Sequence, residues 1–306
     1  IGFGARIKKA EEQVDILKKV RSEDLIEFGF ESEFVGRLPV RAVFEHLTEE
    51  DLYCILKNPN NPIILGKKLD FAAYDIEIKF EDRLLHTLAE YAAAENTGAR
   101  GLVSAVEKAL LEYERKLPSA GIKKFPATSS ILEKPQPSIK ALAASGQEQK
   151  TVELFDRLLQ QEKESIREYL KRNKANLAAK YSLTLTQSRI ELVAACYVNS
   201  TMDIGNVIKK IKSYYDEIKK IELYFFKNHD INIVFEEDDI DFIIEQLVES
   251  FVEINIIEEK INQDFQHGLK LAREKTGRNR FFITRQALLD PEVYIGNLIK
   301  DNLEQT

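Results

Sequence analysis

Two arginines stand beside glycine in settings where a phosphate could be held. Arg100 follows Thr97-Gly98-Ala99 and opens a segment of apolar periodicity. It therefore falls at a predicted helix start, where free N–H groups and the helix dipole favour anions. A guanidinium there can grip a phosphate bidentately, and Gly98 lets the backbone come close. Arg37 lies between Gly36 and Leu38-Pro39, on a predicted turn rather than inside a helix. From a turn it could cross a subunit boundary to a neighbour's nucleotide, as an arginine finger does. For both, the plain alternative is a solvated surface arginine. Ile1-Gly2-Phe3 is apolar around a flexing glycine, which suits insertion into a partner's hydrophobic cleft. Its alternative is a frayed end.

No other motif carries chemistry by itself. Gly66-Lys67-Lys68 is not a phosphate-binding Walker A loop, because no Ser or Thr follows the lysine and Asn61 stands where the first glycine belongs. Cys54 and Cys196 share no metal-type spacing with His46, His86, His229 or His267, so no metal site is expected. The acids from Glu236 to Asp241 sit where a helix begins and are explained by its dipole. Arg273, Lys275, Arg278, Arg280 and Arg285 cluster near Phe281 and Phe282. They read as a solvated helix end rather than a nucleic-acid contact.

Composition narrows the class. The 306 residues are 44% hydrophobic and 31% charged with a net charge of −7, which fits a helix-rich chain with real cores. Mixed-sign acidity argues against a dedicated nucleic-acid or anionic-membrane binder. No apolar run approaches the roughly 20 residues that span a bilayer, and the opening has no signal-peptide pattern. Two distant cysteines suit a reducing cytoplasm. The chain opens without methionine, as a trimmed piece would, so decisive motifs are expected upstream.

The elements that must position Arg37 and Arg100 follow from periodicity. Thr48-Glu49-Glu50-Asp51 is a strong helix start, with a helix to about Asn58, a break at Pro59 and Pro62, and a second helix to Ala73. Ile76 to Phe80 alternates as a half-buried strand. A helix follows through Ala94, then the Thr97-Gly98 turn, then a helix from Arg100 to Leu117, and Ile122 to Phe125 can add a strand. Prolines, Ala, Ser and Gly crowd the stretch up to Gly146, which is linker composition. Beyond it, Phe155, Leu158, Leu159, Ile166, Tyr169 and Leu170 keep helical spacing, as do Ile204, Val207, Ile208, Ile211, Tyr214 and Ile218. Such stripes are packing faces.

An internal repeat is also expected. Residues 75–81 recur as 230–236, Thr97-Gly98 as Thr276-Gly277, and Ala109-Leu110-Leu111-Glu112 as Ala287-Leu288-Leu289-Asp290, which sets Arg278 in the place of Arg100.

Residues 1–119 resemble the C-terminal half of the ClpX-type AAA+ unfoldases, the ATP-binding subunits of the Clp protease. The resemblance is carried by Ile1 to Ala5, Glu23 to Ile26, Glu33 to Val40, Lys57 to Asn60, Thr97 to Leu102 and Leu117 to Ser119, in the family's order. It implies a mainly α fold with a few short strands: an AAA+ C-terminal small (lid) domain plus a helical C-terminal extension. The implied domains are a remnant of the large domain (1–47), the small domain (48–134), a linker (135–150) and the extension (151–306), with a degenerate second small domain at about 201–306. By the same resemblance Arg37 is the arginine finger and Arg100 the sensor that contacts nucleotide, with Thr97 and Gly98 beside it. Ile1, Gly2 and Phe3 dock on the peptidase ring, and Phe44 to Thr48 form the hinge between domains.

The function it implies is the C-terminal part of a hexameric, cytoplasmic, ATP-dependent protein unfoldase that delivers substrates to a Clp-type peptidase. ATP or ADP is the cofactor, with Mg held by the missing upstream part, so this chain by itself is expected not to hydrolyse ATP. Partners are a homo-hexamer, the peptidase, and unfolded substrates or adaptors, with neither membrane nor nucleic acid. The alternative is a non-catalytic interaction module that keeps the small-domain fold and recruits substrates or adaptors through the extension.

Overall fold

A computed structural model describes residues 16–38, 40–95, 97–133, 148–250 and 254–303. In chain order its elements are α1 (Ser22–Phe28), α2 (Ser32–Arg37), α3 (Glu49–Lys57), α4 (Pro62–Ala72), β1 (Glu77–Phe80), α5 (Asp82–Ala94), α6 (Ala99–Lys116), β2 (Lys124–Ala127) and α7 (Ser130–Glu133). The described chain resumes with α8 (Glu148–Arg172), α9 (Lys174–Tyr181), α10 (Gln187–Val198), α11 (Ile204–His229), β3 (Asn232–Phe235) and α12 (Glu237–Ser250). It closes with α13 (Ile254–Thr276), β4 (Arg280–Ile283), α14 (Arg285–Leu289) and α15 (Pro291–Leu303). The fold is mainly α with a few short strands, as expected. Of the expected linker 135–150, residues 148–150 already belong to α8 and the rest lies outside the described residues.

The chain divides into two compact units, one of residues Ile1–Lys57 and Asp82–Leu111, the other of Asn58–Glu81 and Glu112–Thr306. In the first, α3 packs along α5. Leu52 and Leu56 on α3, Leu84, Leu88 and Ala92 on α5, and Leu102, Val106 and Leu110 on α6 are buried, each leucine contributing about 1.5–3 kcal/mol. The start of α3 is a reciprocal capping box: the Asp51 N–H donates to Thr48 Oγ1 at 3.1 Å and the Thr48 N–H donates to Asp51 Oδ2 at 2.9 Å. The Thr48 hydroxyl also donates to Asp51 Oδ2 at 2.7 Å, and this bond, with that from the Thr48 N–H, holds the Asp51 carboxyl below its ordinary pKa.

In the second unit β1 and β2 pair in parallel, with Ile78 opposite Phe125. Phe71 and Tyr113 pack their rings on Phe125 at 5.5 and 5.1 Å between centroids. Pro62 opens α4 as the break predicted, with the Asn61 side chain accepting from the Ile63 and Ile64 N–H groups. Helix α8 lies against both strands and against α10. The predicted stripes are core: Phe155, Leu158, Ile166 and Leu170 on α8, and Ile204, Val207, Ile208, Ile211 and Ile218 on α11, are buried. Alternation in β1 predicts Lys79 in solvent, but it is 3% exposed. Its ammonium donates to Glu162 Oε2 at 3.0 Å and to the Val198 carbonyl, while Lys68 pairs with the other oxygen of Glu162. Arg189 is fully buried, donating to Asp241, Glu237 and the Thr184 carbonyl, and so clamps α10 to α12.

Of the three expected matches of the repeat, only that of residues 75–81 with 230–236 has like local structure on both sides. Asp75 and Asp230 both take left-handed backbone (φ 60° and 53°) just before β1 and β3. Each of these strands pairs in parallel with a later one across four residues, β1 with β2 and β3 with β4. The Glu77 N–H donates to the Lys123 carbonyl and the Asn232 N–H to the Asn279 carbonyl, at 2.8 and 2.9 Å. Thr276-Gly277, however, ends α13 immediately before β4, whereas Thr97-Gly98 lies between two helices. The counterpart of Gly277 (φ 69°) is Gly121 (φ 68°), before β2. Ala109 to Leu111 sit inside α6, while Ala287 to Leu289 follow β4 in α14. Arg278 therefore opens no helix and does not stand in the place of Arg100.

Candidate functional site

Arg100 is exposed in the first turn of α6. The turn before it depends on Gly98, whose φ of 62° is left-handed, and the Gly101 N–H closes back on the Gly98 carbonyl at 3.0 Å. Gly101 is itself required by close approach. A Cβ there would meet the Ala92 carbonyl oxygen and Thr97 Oγ1, each at 2.9 Å, so the α5–α6 packing tolerates no side chain. These contacts set how closely the start of α6, which carries Arg100, approaches α5.

Charge placement at this corner is unusual. Helices α3 and α5 begin with acids, as a helix dipole favours, but α6 has none in its first turn and carries Arg100 there instead. Among the described residues no carboxylate pairs with the Arg100 guanidinium. A cation placed against a dipole and left unpaired is available to an external anion. The residues fit one edge of a nucleotide phosphate: an exposed fork of donors, free N–H groups at a helix start and a left-handed glycine. They do not form a complete nucleotide cradle, and Gly66-Lys67-Lys68 supplies none. Both lysines are buried in α4, Lys67 on Asp70 and Glu114, and Lys68 on Glu162.

Arg37 lies in the last turn of α2, not on the turn that Leu38-Pro39 suggests. The helix runs up to Arg37 because Leu38, not Arg37, is the residue before the proline and takes the non-helical backbone. Arg37 pairs with Glu33 at 2.6 Å, the two side chains being 77% and 71% exposed. Such an i,i+4 pair is worth only about 0.3–0.5 kcal/mol, so another anion can take the guanidinium over easily. No hydrogen bond or ion pair joins Arg37 to Arg100 among the described residues. Residues 40–48 form neither helix nor strand and are exposed, Phe44 at 89%. Ile1, Gly2 and Phe3 lie outside the described residues.

A second polar cluster, on α3 and α5, is one that residue spacing does not reveal. Tyr53 stacks on His86 with ring centroids 3.5 Å apart. Lys57 Nζ donates to Tyr53 Oη at 2.6 Å and to Asp82 Oδ1 at 2.8 Å, and Tyr53 Oη donates to Asp82 at 2.8 Å. Desolvation opposes the charge on Asp82, but the Lys57 and Tyr53 bonds outweigh it and hold the carboxyl below its ordinary value. Lys57 is held above its own against the same penalty. The only signal in the sequence is the helical i,i+4 spacing of Tyr53 with Lys57 and of Asp82 with His86. The described residues include no His, Cys, Asp and Glu grouping able to hold a metal ion. The thiols are free, Cys54 exposed and Cys196 buried, and among the described residues no helix is long and apolar enough to cross a membrane.

The fold defines the class as far as a mainly α chain with a few short strands. Over 121 residues, 39% of this chain and 29% of the relative, the sequence is 38% identical to the ATP-dependent Clp protease ATP-binding subunit ClpX of Treponema denticola. The same subunits of Borrelia duttonii and Borrelia recurrentis are each 40% identical over 120 residues, 39% of this chain and 28% of theirs. A stretch of the chain is thus similar to ClpX, in agreement with the ordered resemblance of residues 1–119. The chain spans less than a third of the length of these curated relatives. No protein-family model matches it.

Proposed function

We propose that this chain is the C-terminal part of a hexameric, ATP-dependent protein unfoldase that delivers substrates to a Clp-type peptidase. The observation that carries this reading is the unpaired Arg100 against the α6 dipole, within a chain similar to ClpX over 121 residues. Arg100 contacts the phosphates of ATP or ADP within its own subunit, with Thr97 and Gly98 shaping the approach. Arg37 leaves Glu33 and reaches the nucleotide of a neighbouring subunit, where such a finger is worth about 10³–10⁵ in turnover. Residues 40–48 act as the hinge between a large domain, which supplies the remaining phosphate contacts and the Mg ion, and a small domain at about 48–134. Ile1, Gly2 and Phe3 dock on the peptidase ring, and residues at about 201–306 are a degenerate second small domain. The setting is the cytoplasm.

The test is degradation of a fluorescent unfolded substrate by the assembled protein with its peptidase. Arg37→Ala is expected to abolish degradation while the hexamer persists, and small amounts of the variant are expected to depress mixed rings. Normal degradation by Arg37→Ala rings would remove the finger from the account.

One observation favours the second reading, a non-catalytic module that recruits substrates or adaptors. The extension is built into the fold, with α8 packed on β1 and β2 and Glu162 taking both Lys68 and Lys79.

A further inference from the structure

Two buried ammoniums share one carboxylate. The side chains of Lys68 and Lys79 are 5% and 4% exposed, and Glu162 is the acid paired with both among the described residues. Each ammonium carries three donors. Lys68 spends one on Glu162 and rests over the Tyr197 ring, while Lys79 spends two, on Glu162 and the Val198 carbonyl. The triad therefore holds one surplus positive charge, which burial makes costly, and spare N–H donors with no acceptor among the described residues. Burial pushes the Lys68 ammonium below its ordinary pKa, and Lys79 adds to this against the pull of Glu162. A second anion on the spare donors would relieve both.

Both lysines line a cleft of about 920 Å³ within the second unit, and Glu162 does not, so the cleft meets the cationic side of the triad. Its floor is one face of α10 and its cap, Ser188, Leu192, Ala195 and Asn199, at i, i+4, i+7 and i+11. At 1.5 Å per residue that face is about 16 Å long. The cations gather at its C-terminal end: Lys79 on Val198, Lys68 on Tyr197, and Lys210 near enough to Cys196 to act on its thiol. Lys163, beside Glu162, lines the cleft as well. Lys163 and Lys210 are half-buried and form no ion pair among the described residues. The acids of the lining do not cancel this charge. Asp75, Glu191 and Asp241 are paired with Lys123, Arg167 and Arg189, and Asp239 accepts the Arg285 N–H. Glu77, Asp238 and Glu245 are exposed, where water and salt screen them. The walls add Ile76, Ile78, Met202, Phe242 and Val248.

We propose that this cleft binds a small amphipathic monocarboxylate, with its head on the Lys68 and Lys79 ammoniums and its apolar body along α10. One surplus charge calls for a monoanion, which a phosphate monoester, at about −1.5 to −2, would overcompensate. The volume suits a small molecule, and such sites are mostly apolar with a few convergent polar groups. The inference does not rest on the nucleotide reading of Arg100.

The probes are octanoate, octanol, octylammonium, octyl phosphate and acetate, each titrated into the whole chain by calorimetry. Octanoate is expected to bind saturably at one site, at least about tenfold more tightly than octanol, octylammonium or octyl phosphate. Acetate, which lacks the apolar body, should bind at least about tenfold more weakly than octanoate. Lys68→Met removes the surplus charge and leaves the Lys79–Glu162 pair, so it should weaken octanoate at least about tenfold and leave octanol unchanged. If circular dichroism shows that this variant is unfolded, Lys163→Ala combined with Lys210→Ala, at half-buried positions, carries the same test with a loss of at least about threefold. Four outcomes would overturn the proposal. They are absence of saturable octanoate binding, octanol bound as tightly as octanoate, octylammonium or octyl phosphate bound as tightly, and folded variants that bind octanoate like the parent.

Discussion

Lys79 Nζ lies 3.0 Å from Glu162 Oε2 and joins β1 to α8, with both side chains largely removed from solvent. The other oxygen of the same carboxylate takes Lys68. Desolvation alone would raise Glu162, but the two ammoniums bring it below its ordinary carboxyl value, while burial pushes Lys68 down.

Removing the shared acid leaves two buried cations facing each other. Glu162→Gln should destabilise the fold by about 3–5 kcal/mol, read as a lower midpoint in urea unfolding. The double variant Glu162→Gln with Lys68→Met should recover part of that loss. Equal stability of the single variant and the parent would show that the triad does not join α8 to the sheet.

The Arg189–Asp241 pair carries a pH signature. Burial raises Asp241 above its ordinary 3.8 in spite of the guanidinium. A carboxyl raised on folding binds its proton more tightly in the native state, so its contribution falls as pH climbs past 3.8. Arg189→Met should enlarge that fall, costing about 3–5 kcal/mol at neutral pH and less in acid. Denaturant midpoints at the two pH values measure this.

Asp82 titrates the opposite way. Its folded-state carboxyl lies below 3.8, so its contribution is complete above that pH and is lost as pH falls through the lower folded value. Asp82→Asn should flatten the acid limb of the stability profile of the α3–α5 pair. The change is small, about 0.2–1 kcal/mol, because the pair with Lys57 is partly exposed.

Gly101 sets the α5–α6 approach. Gly101→Ala gains about 1 kcal/mol of helix propensity but places a methyl 2.9 Å from the Ala92 carbonyl oxygen. A net loss of stability is expected, since overpacking costs about 1–3 kcal/mol, together with displacement of Arg100. A more stable Gly101→Ala chain would mean that the two helices separate freely.

Helices were the legible part of the sequence, because periodicity and caps are local. Asn61-Pro62, Thr48 with Asp51, and the stripes on α8 and α11 all signal themselves. Three features were not legible because they depend on partners far along the chain. Lys79 looks solvent-facing until Glu162, 83 residues away, supplies its counter-charge. Nothing near Arg189 in the sequence marks it as buried, since its partner Asp241 lies 52 residues away. Thr276-Gly277 matches Thr97-Gly98 in letters, yet only strand pairing shows that it precedes β4. At the site itself, Arg100 was legible from its glycine and helix start, whereas the helical setting of Arg37 was obscured by the proline two residues on.

The most direct measurement is nucleotide affinity in the hexamer proposed above, with Arg100 intact and as Arg100→Ala. Loss of a phosphate-gripping guanidinium should weaken ADP or ATP binding about tenfold or more, a charge-assisted bond being worth about 1.5–3 kcal/mol. Circular dichroism and hexamer size should stay unchanged. Affinity for both nucleotides equal to that of the parent, in hexamers of normal size, would contradict the account.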